Sequence, residues 1–111
     1  MKAIVLQDLK KNAEGMSLFD SLVTTDVSYP EPGENEVTVK VMASALNHRD
    51  LWIVRGLYAG IKPPIILGSD GAGVVDKVGS SVDASLVGNA VIINPSLRFG
   101  DNPRVQGKDF S

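Results

Sequence analysis

Residues 36–41, EVTVKV, alternate apolar and polar side chains without a break, and this period of two limits what the chain can become. It puts Val37, Val39 and Val41 on one face and Thr38 and Lys40 on the other, as a half-buried strand requires. Shorter β candidates surround it: AIVL at 3–6, SLVT at 21–24, PIILG at 64–68, GVVDKV at 73–78 and AVIIN at 90–94. Turn-forming stretches, YPEPGENE, VGSSVD and LVGN, separate them. The spacing predicts a mainly β fold, a small antiparallel barrel or sandwich rather than βαβ units. With 111 residues, 43% of them hydrophobic, the chain is long enough for one domain burying about 60 to 70% of its unfolded surface. After Asn94 it turns polar and rich in Pro and Gly, the pattern of an irregular loop.

One segment breaks the β pattern. In SALNHRDLWIVRGLY, residues 44–58, Asn47 is a good N-cap, and Asp50 three residues later can close a capping box. Leu46 and Leu51 occupy the positions of a hydrophobic staple, and Gly56 after Arg55 is a C-terminal stop. A short helix from His48 to about Arg55 is expected. Its first turn carries a basic pair, His48 and Arg49, where the helix dipole is already positive. That arrangement costs a few tenths to ~1 kcal/mol if nothing answers it. Either an anion answers it, or both side chains splay into water while Asp50 offsets them. Asn47, Trp52 and Tyr58 add an amide, an apolar wall and a phenol to the same helix and its exit.

A second cluster, IILGSDGAGVVDKVG at 65–79, tests two phosphate-binding loops and fails both. A P-loop needs Lys and Ser/Thr directly after its last glycine, but Val74 and Val75 follow Gly73. A dinucleotide fingerprint needs a third glycine that is missing here, since Gly71 and Gly73 run on to Asp76. What remains is strand chemistry, with glycines where side chains would collide with a neighbouring backbone or ligand.

Charge and composition exclude other classes. Eleven Lys and Arg against thirteen Asp and Glu give a net charge of −2 with no basic stripe, which leaves counterion-driven nucleic-acid binding little to work with. The apolar run near the start is too short for a signal peptide, and none approaches a bilayer span, so a cytoplasmic location without membrane partners is expected. The absence of cysteine excludes disulfides and thiolate metal sites.

ALNHRDLWIVRGLY, followed by PPIILGSDGAGVVDKVGSSV and VGNAV, resembles the N-terminal catalytic domain of the medium-chain dehydrogenase/reductase superfamily, the GroES-like fold. MKAIVL and PGENEVTVKVMASALN stand where that family has its opening strand and its P-G-x-x-E-V-x-V-x-V strand, so the likeness covers nearly the whole chain. Its zinc-dependent alcohol dehydrogenases carry Cys-His/Arg-Thr/Ser-Asp at the helix start and Gly-His-Glu at the later strand. Here those places hold Asn47, His48, Arg49, Asp50 and Gly68, Ser69, Asp70. An amide thus replaces a thiolate and a hydroxyl replaces an imidazole, so no metal is expected. The pattern is similar to the zinc-independent quinone oxidoreductase branch, whose helix reads Asn-x-x-Asp and ends in Gly-Leu-Tyr.

The resemblance implies an oxidoreductase that uses NADPH or NADH to reduce a quinone or enone, an acceptor electron-poor enough to need no Lewis acid. It assigns Asn47 and Tyr58 catalytic positions beside the nicotinamide and the acceptor carbonyl. Asn47, His48 and Arg49 would bind cofactor, His48 as an anion clamp at the pyrophosphate. Trp52, Tyr58 and Ser69 would line the acceptor pocket, with a core position as the alternative for Trp52. Asp50 is expected to cap the helix rather than act as an acid. Asp70 is expected to be a strand-end carboxylate near the cleft floor. Gly68, Gly71 and Gly73 would let a strand pass close under the cofactor and the helix. The family's pyrophosphate-binding loop belongs to a separate doubly wound domain, absent from residues 1–111, so this GroES-like domain is expected to be incomplete and inactive alone. Its open strand edges would favour self-association. Two alternatives stay open: a zinc-type alcohol dehydrogenase-like protein, and, in a different class, a stand-alone GroES-like β module for protein interaction or self-assembly, with LYAGIKPPII at 57–66 as its apolar loop.

Overall fold

The computed structural model describes residues 1–9 and 19–96. Among the described residues the chain forms six strands, β1 (Lys2–Leu6), β2 (Leu22–Asp26), β3 (Val37–Ala43), β4 (Ile65–Ile66), β5 (Ala72–Val78) and β6 (Ala90–Ile92), and one α-helix, α1 (His48–Val54), between β3 and β4. They form two three-stranded antiparallel sheets in the orders β2-β1-β4 and β3-β5-β6. This is the mainly β architecture with a short helix that the alternation and turn spacing predict. Among the described residues no helix is long and apolar enough to cross a membrane. Most of the irregular segment expected after Asn94 lies outside the described residues.

Among the described residues the buried apolar side chains are few: Val5 and Leu6 from β1, Ile53 and Val54 from α1, and Val75 from β5. They come from three elements far apart in sequence. Around them the second sheet departs from the simple alternation. Thr38 is 7% exposed while Val37 and Val41 are 38% and 54% exposed, the reverse of the face assignment expected for residues 36–41. The ladder to β5 is also irregular, with register shifts between Thr38 and Val39 and again between Val41 and Ala43, which leave Asp76 and Met42 unpaired.

Glycines set how closely the second sheet can be built. A Cβ on Gly73 would overlap the backbone carbonyl oxygen of Lys40 on the neighbouring strand. A Cβ on Gly79 would overlap the carbonyl oxygens of Gly33 and Glu34, where the turn before β3 meets the end of β5. The close approach expected of Gly73 is therefore to β3 rather than to the helix. Gly68 has no heavy atom within 4 Å of its would-be Cβ and serves through its φ of +109°.

The loop before β3 is tied to β5 by side chains as well. The Tyr29 hydroxyl donates to Asp76 Oδ2 at 3.0 Å, Lys77 Nζ to Glu31 Oε1 at 2.7 Å, and Ser81 Oγ to Glu34 Oε1 at 2.7 Å. Donation to the Asp76 carboxylate holds the Tyr29 phenol above its ordinary pKa. A raised native-state pKa contributes stability that is present below the unfolded phenol pKa and lost as pH rises through the folded one. Tyr29→Phe is expected to abolish this alkaline dependence while changing neutral-pH stability little, checked by tyrosinate absorbance and thermal melts against pH.

Candidate functional site

The site begins at the caps of α1. Asn47 is extended, with φ −111° and ψ 153°, and its backbone N–H donates to Asp50 Oδ2 at 3.0 Å. The Asp50 backbone N–H returns to the Asn47 carbonyl oxygen at 2.9 Å. Asp50 is 9% exposed, so it caps the helix as expected of it, and the buried carboxylate has its partner. Both halves of the capping box are present, with the Asn47 side chain facing the Asp50 backbone N–H while its Nδ2 donates to Asp70. The staple does not form. Leu46 is 95% exposed, because nothing among the described residues covers the face it occupies. At the C-terminus Gly56 has φ +70°, its N–H donates to the Ile53 carbonyl at 2.9 Å, and the Leu57 N–H donates to that of Trp52 at 2.9 Å. This is a Schellman motif, and it makes Gly56 the stop that the sequence signals.

Between these caps the helix divides by face. Asp50, Ile53 and Val54 are buried, whereas His48, Arg49, Trp52 and Arg55 are exposed. Trp52 is 39% exposed and so is not a core side chain among the described residues. His48, one turn earlier, meets Trp52 edge-on with ring centroids 5.6 Å apart, and the Arg55 guanidinium carbon lies 6.0 Å from the Trp52 ring centroid. Arg49 lies over the Tyr58 ring at 4.7 Å. Neither His48 nor Arg49 forms an ion pair among the described residues, so each keeps its hydrogen-bonding nitrogens for another partner.

The remaining wall comes from the loop before β5. Gly68 is left-handed, Ser69 is half-buried and Asp70 is exposed. Across 23 residues of sequence, Asn47 Nδ2 donates to Asp70 Oδ2 at 2.8 Å. The structure thus brings Asn47 and the 68–70 loop together, sets Arg49 against Tyr58, and sets His48 against Trp52. Ser69 enters through its place beside Asp70. The sequence places Asp70 near the cleft floor, but its bond to Asn47 leaves no local signal. The stacking of Arg49 on Tyr58 left no sequence signal.

A zinc ion does not fit these donors. Tetrahedral zinc in such sites takes thiolate, imidazole or carboxylate ligands, at least three of them from protein. Here the corresponding groups are a carboxamide, a hydroxyl and one carboxylate, and the amide N–H already donates to that carboxylate. Among the described residues no group of three His, Cys, Asp or Glu side chains could hold a metal ion. The exposed guanidinium groups of Arg49 and Arg55, set against the Tyr58 and Trp52 rings, suit an anionic ligand.

Comparison with known proteins identifies the family. The model of the alcohol dehydrogenase GroES-like domain matches residues 33–109. A zinc-type alcohol dehydrogenase-like protein of Schizosaccharomyces pombe is 42% identical over 83 residues, which covers 71% of this chain and 23% of that protein. The crystal structure of an NAD-dependent alcohol dehydrogenase superposes with a TM-score of 0.77 at 38% identity, covering 94% of this chain and 29% of that one. Escherichia coli quinone oxidoreductase complexed with NADPH superposes with a TM-score of 0.69 at 29% identity, covering 83% and 26%. The chain therefore spans about a quarter of the length of the relatives it matches.

Proposed function

The chain belongs to the family of alcohol dehydrogenase GroES-like domains, and from that membership we propose that it forms the catalytic-domain portion of a zinc-independent, NAD(P)H-dependent oxidoreductase acting on quinones or enones. The observation that supports the metal-free reading is the 2.8 Å hydrogen bond from Asn47 to Asp70, because it pairs a neutral donor with the carboxylate at positions where the resemblance puts residues of the zinc site. A bound reduced nicotinamide supplies hydride. With no Lewis acid to polarise the acceptor, the protein must stabilise the developing oxyanion by hydrogen bonding. The second N–H of Asn47 and the Tyr58 hydroxyl are the donors we assign to that task. His48 and Arg49 take the anionic part of the cofactor, Trp52 and Tyr58 give the acceptor a flat apolar wall, and Ser69 closes the pocket at the loop.

The test is made on the full-length protein with NADPH or NADH and a simple quinone or enone. Turnover should persist after chelation, and metal analysis should find no stoichiometric zinc. Tightly held zinc would overturn the metal-free reading. His48→Ala is expected to weaken nucleotide binding about tenfold, equivalent to ~1.4 kcal/mol. Unchanged affinity would remove His48 from the anion clamp.

A second reading, a module that binds a protein partner or another copy of itself, is favoured by the exposure of Leu46, Leu57 and Ile92 at 95%, 64% and 85%. It predicts stable association without nucleotide binding. Sedimentation together with a nucleotide titration separates the two.

A further inference from the structure

We infer that Asp70 is a positioning residue, which fixes the orientation of the Asn47 carboxamide through the hydrogen bond joining the start of α1 to the 68–71 loop. The inference rests on the assignment of Asn47 to the reacting centre proposed above.

An ionised carboxylate only accepts hydrogen bonds, so the amide nitrogen of Asn47 must face it. The flipped amide would set two oxygen acceptors 2.8 Å apart, at the distance of the present bond, with no proton between them. The backbone of Asn47 is committed as well, its N–H to Asp50 Oδ2 and its carbonyl to the Asp50 N–H. The Asn47 side-chain oxygen faces the Asp50 backbone N–H in the capping box, so the group left for a ligand is the second amide N–H, and Asp70 decides which way it is turned.

The platform under Asp70 is itself fixed on both sides. Gly68 takes a φ of +109°, a conformation that side chains oppose. Gly71 is buried, its carbonyl accepts from the Ile93 N–H at 2.8 Å, and a Cβ on it would come within 3.0 Å of Ile93 Cδ1. A carboxylate between two such anchors holds its partner in place with little freedom to follow it elsewhere. Because Asp70 is exposed, its bond adds little to folding, and its effect falls on geometry.

The test compares Asp70→Ala and Asp70→Asn in the full-length protein. Asparagine keeps an acceptor oxygen for the Asn47 amide but cannot transfer a proton as a carboxylate does, while alanine offers neither. Asp70→Ala is expected to lower kcat about tenfold through misplacement of Asn47, with KM for nucleotide changed less than about twofold. Asp70→Asn should recover to within about threefold of the parent. Equal damage by both variants would make Asp70 a proton-transfer or charge-bearing group and overturn the positioning role, and so would an undiminished kcat in Asp70→Ala.

A readout without turnover accompanies it. The side-chain amide resonances of Asn47, assigned by their loss in Asn47→Ala, should shift strongly in Asp70→Ala and weakly in Asp70→Asn. Resonances unmoved by Asp70→Ala would show that no such bond exists. If the unmodified protein reduces no quinone or enone, the functional reading fails, and the resonances still decide whether Asp70 holds the amide.

Discussion

Gly79→Ala should destabilise the domain by about 3 kcal/mol, placing it among the more damaging single substitutions. The added Cβ would overlap the carbonyl oxygens of both Gly33 and Glu34, which are backbone atoms and cannot rotate away as a side chain would. To admit it, the 33–36 turn must move off the end of β5. That motion stretches the bond from the Gly79 N–H to the Glu36 carbonyl, now 2.8 Å, and the bond from the Ser81 N–H to the Glu34 carbonyl, now 3.0 Å. Each lost bond of this kind contributes roughly 0.5–1.5 kcal/mol, and more where a buried group is left unpaired. The expected drop in melting temperature is on the order of 10–20 °C for a domain of this size. Ser80→Ala, at the exposed neighbouring position, serves as the control and should stay within about 0.5 kcal/mol. Equal melting temperatures for the two variants would show that the turn gives way freely.

The second large effect is on chemistry rather than on folding. Asn47→Asp should reduce kcat/KM of the full-length protein about 100-fold or more while leaving the helix intact. Aspartate is as good an N-cap as asparagine, and the extended backbone of residue 47 suits both, so α1 keeps its start. What changes is the partner of Asp70. Two carboxylates would face one another across a 2.8 Å contact, and they must separate or share a proton. The position also loses its N–H donors, and removing one oxyanion donor typically costs about 100- to 1000-fold in rate. Steady-state kinetics and a thermal melt of the same variant check both halves. Full turnover in a correctly folded Asn47→Asp protein would remove Asn47 from the reacting centre.

The parts of this fold legible in the sequence are those whose causes are local. The capping role of Asp50 and the stop at Gly56 depend on residues within one helical turn, and both occur where the spacing places them. The alternation at 36–41 correctly identifies a strand, yet it misassigns the face of Thr38, because which face of a strand is covered depends on what packs against it and not on its own period. The Leu46–Leu51 staple failed for a related reason: a staple requires that the chain before the helix turn back onto it, which the caps do not enforce. Gly73 could be suspected of a close approach, but the partner that comes close could not be named. Gly79 looked like an ordinary turn residue.

From the order of its residues alone, the chain established that it is mostly β with a short capped helix, and which residue types stand at the start of that helix and in the glycine-rich loop. Only the tertiary structure decided that Asn47 donates to Asp70, that Arg49 lies over Tyr58, and that Trp52 faces outward. The division follows from range. Periodicity and capping act within about a turn of helix or a few residues of strand, whereas an amide and a carboxylate 23 residues apart meet only when two separate elements have packed.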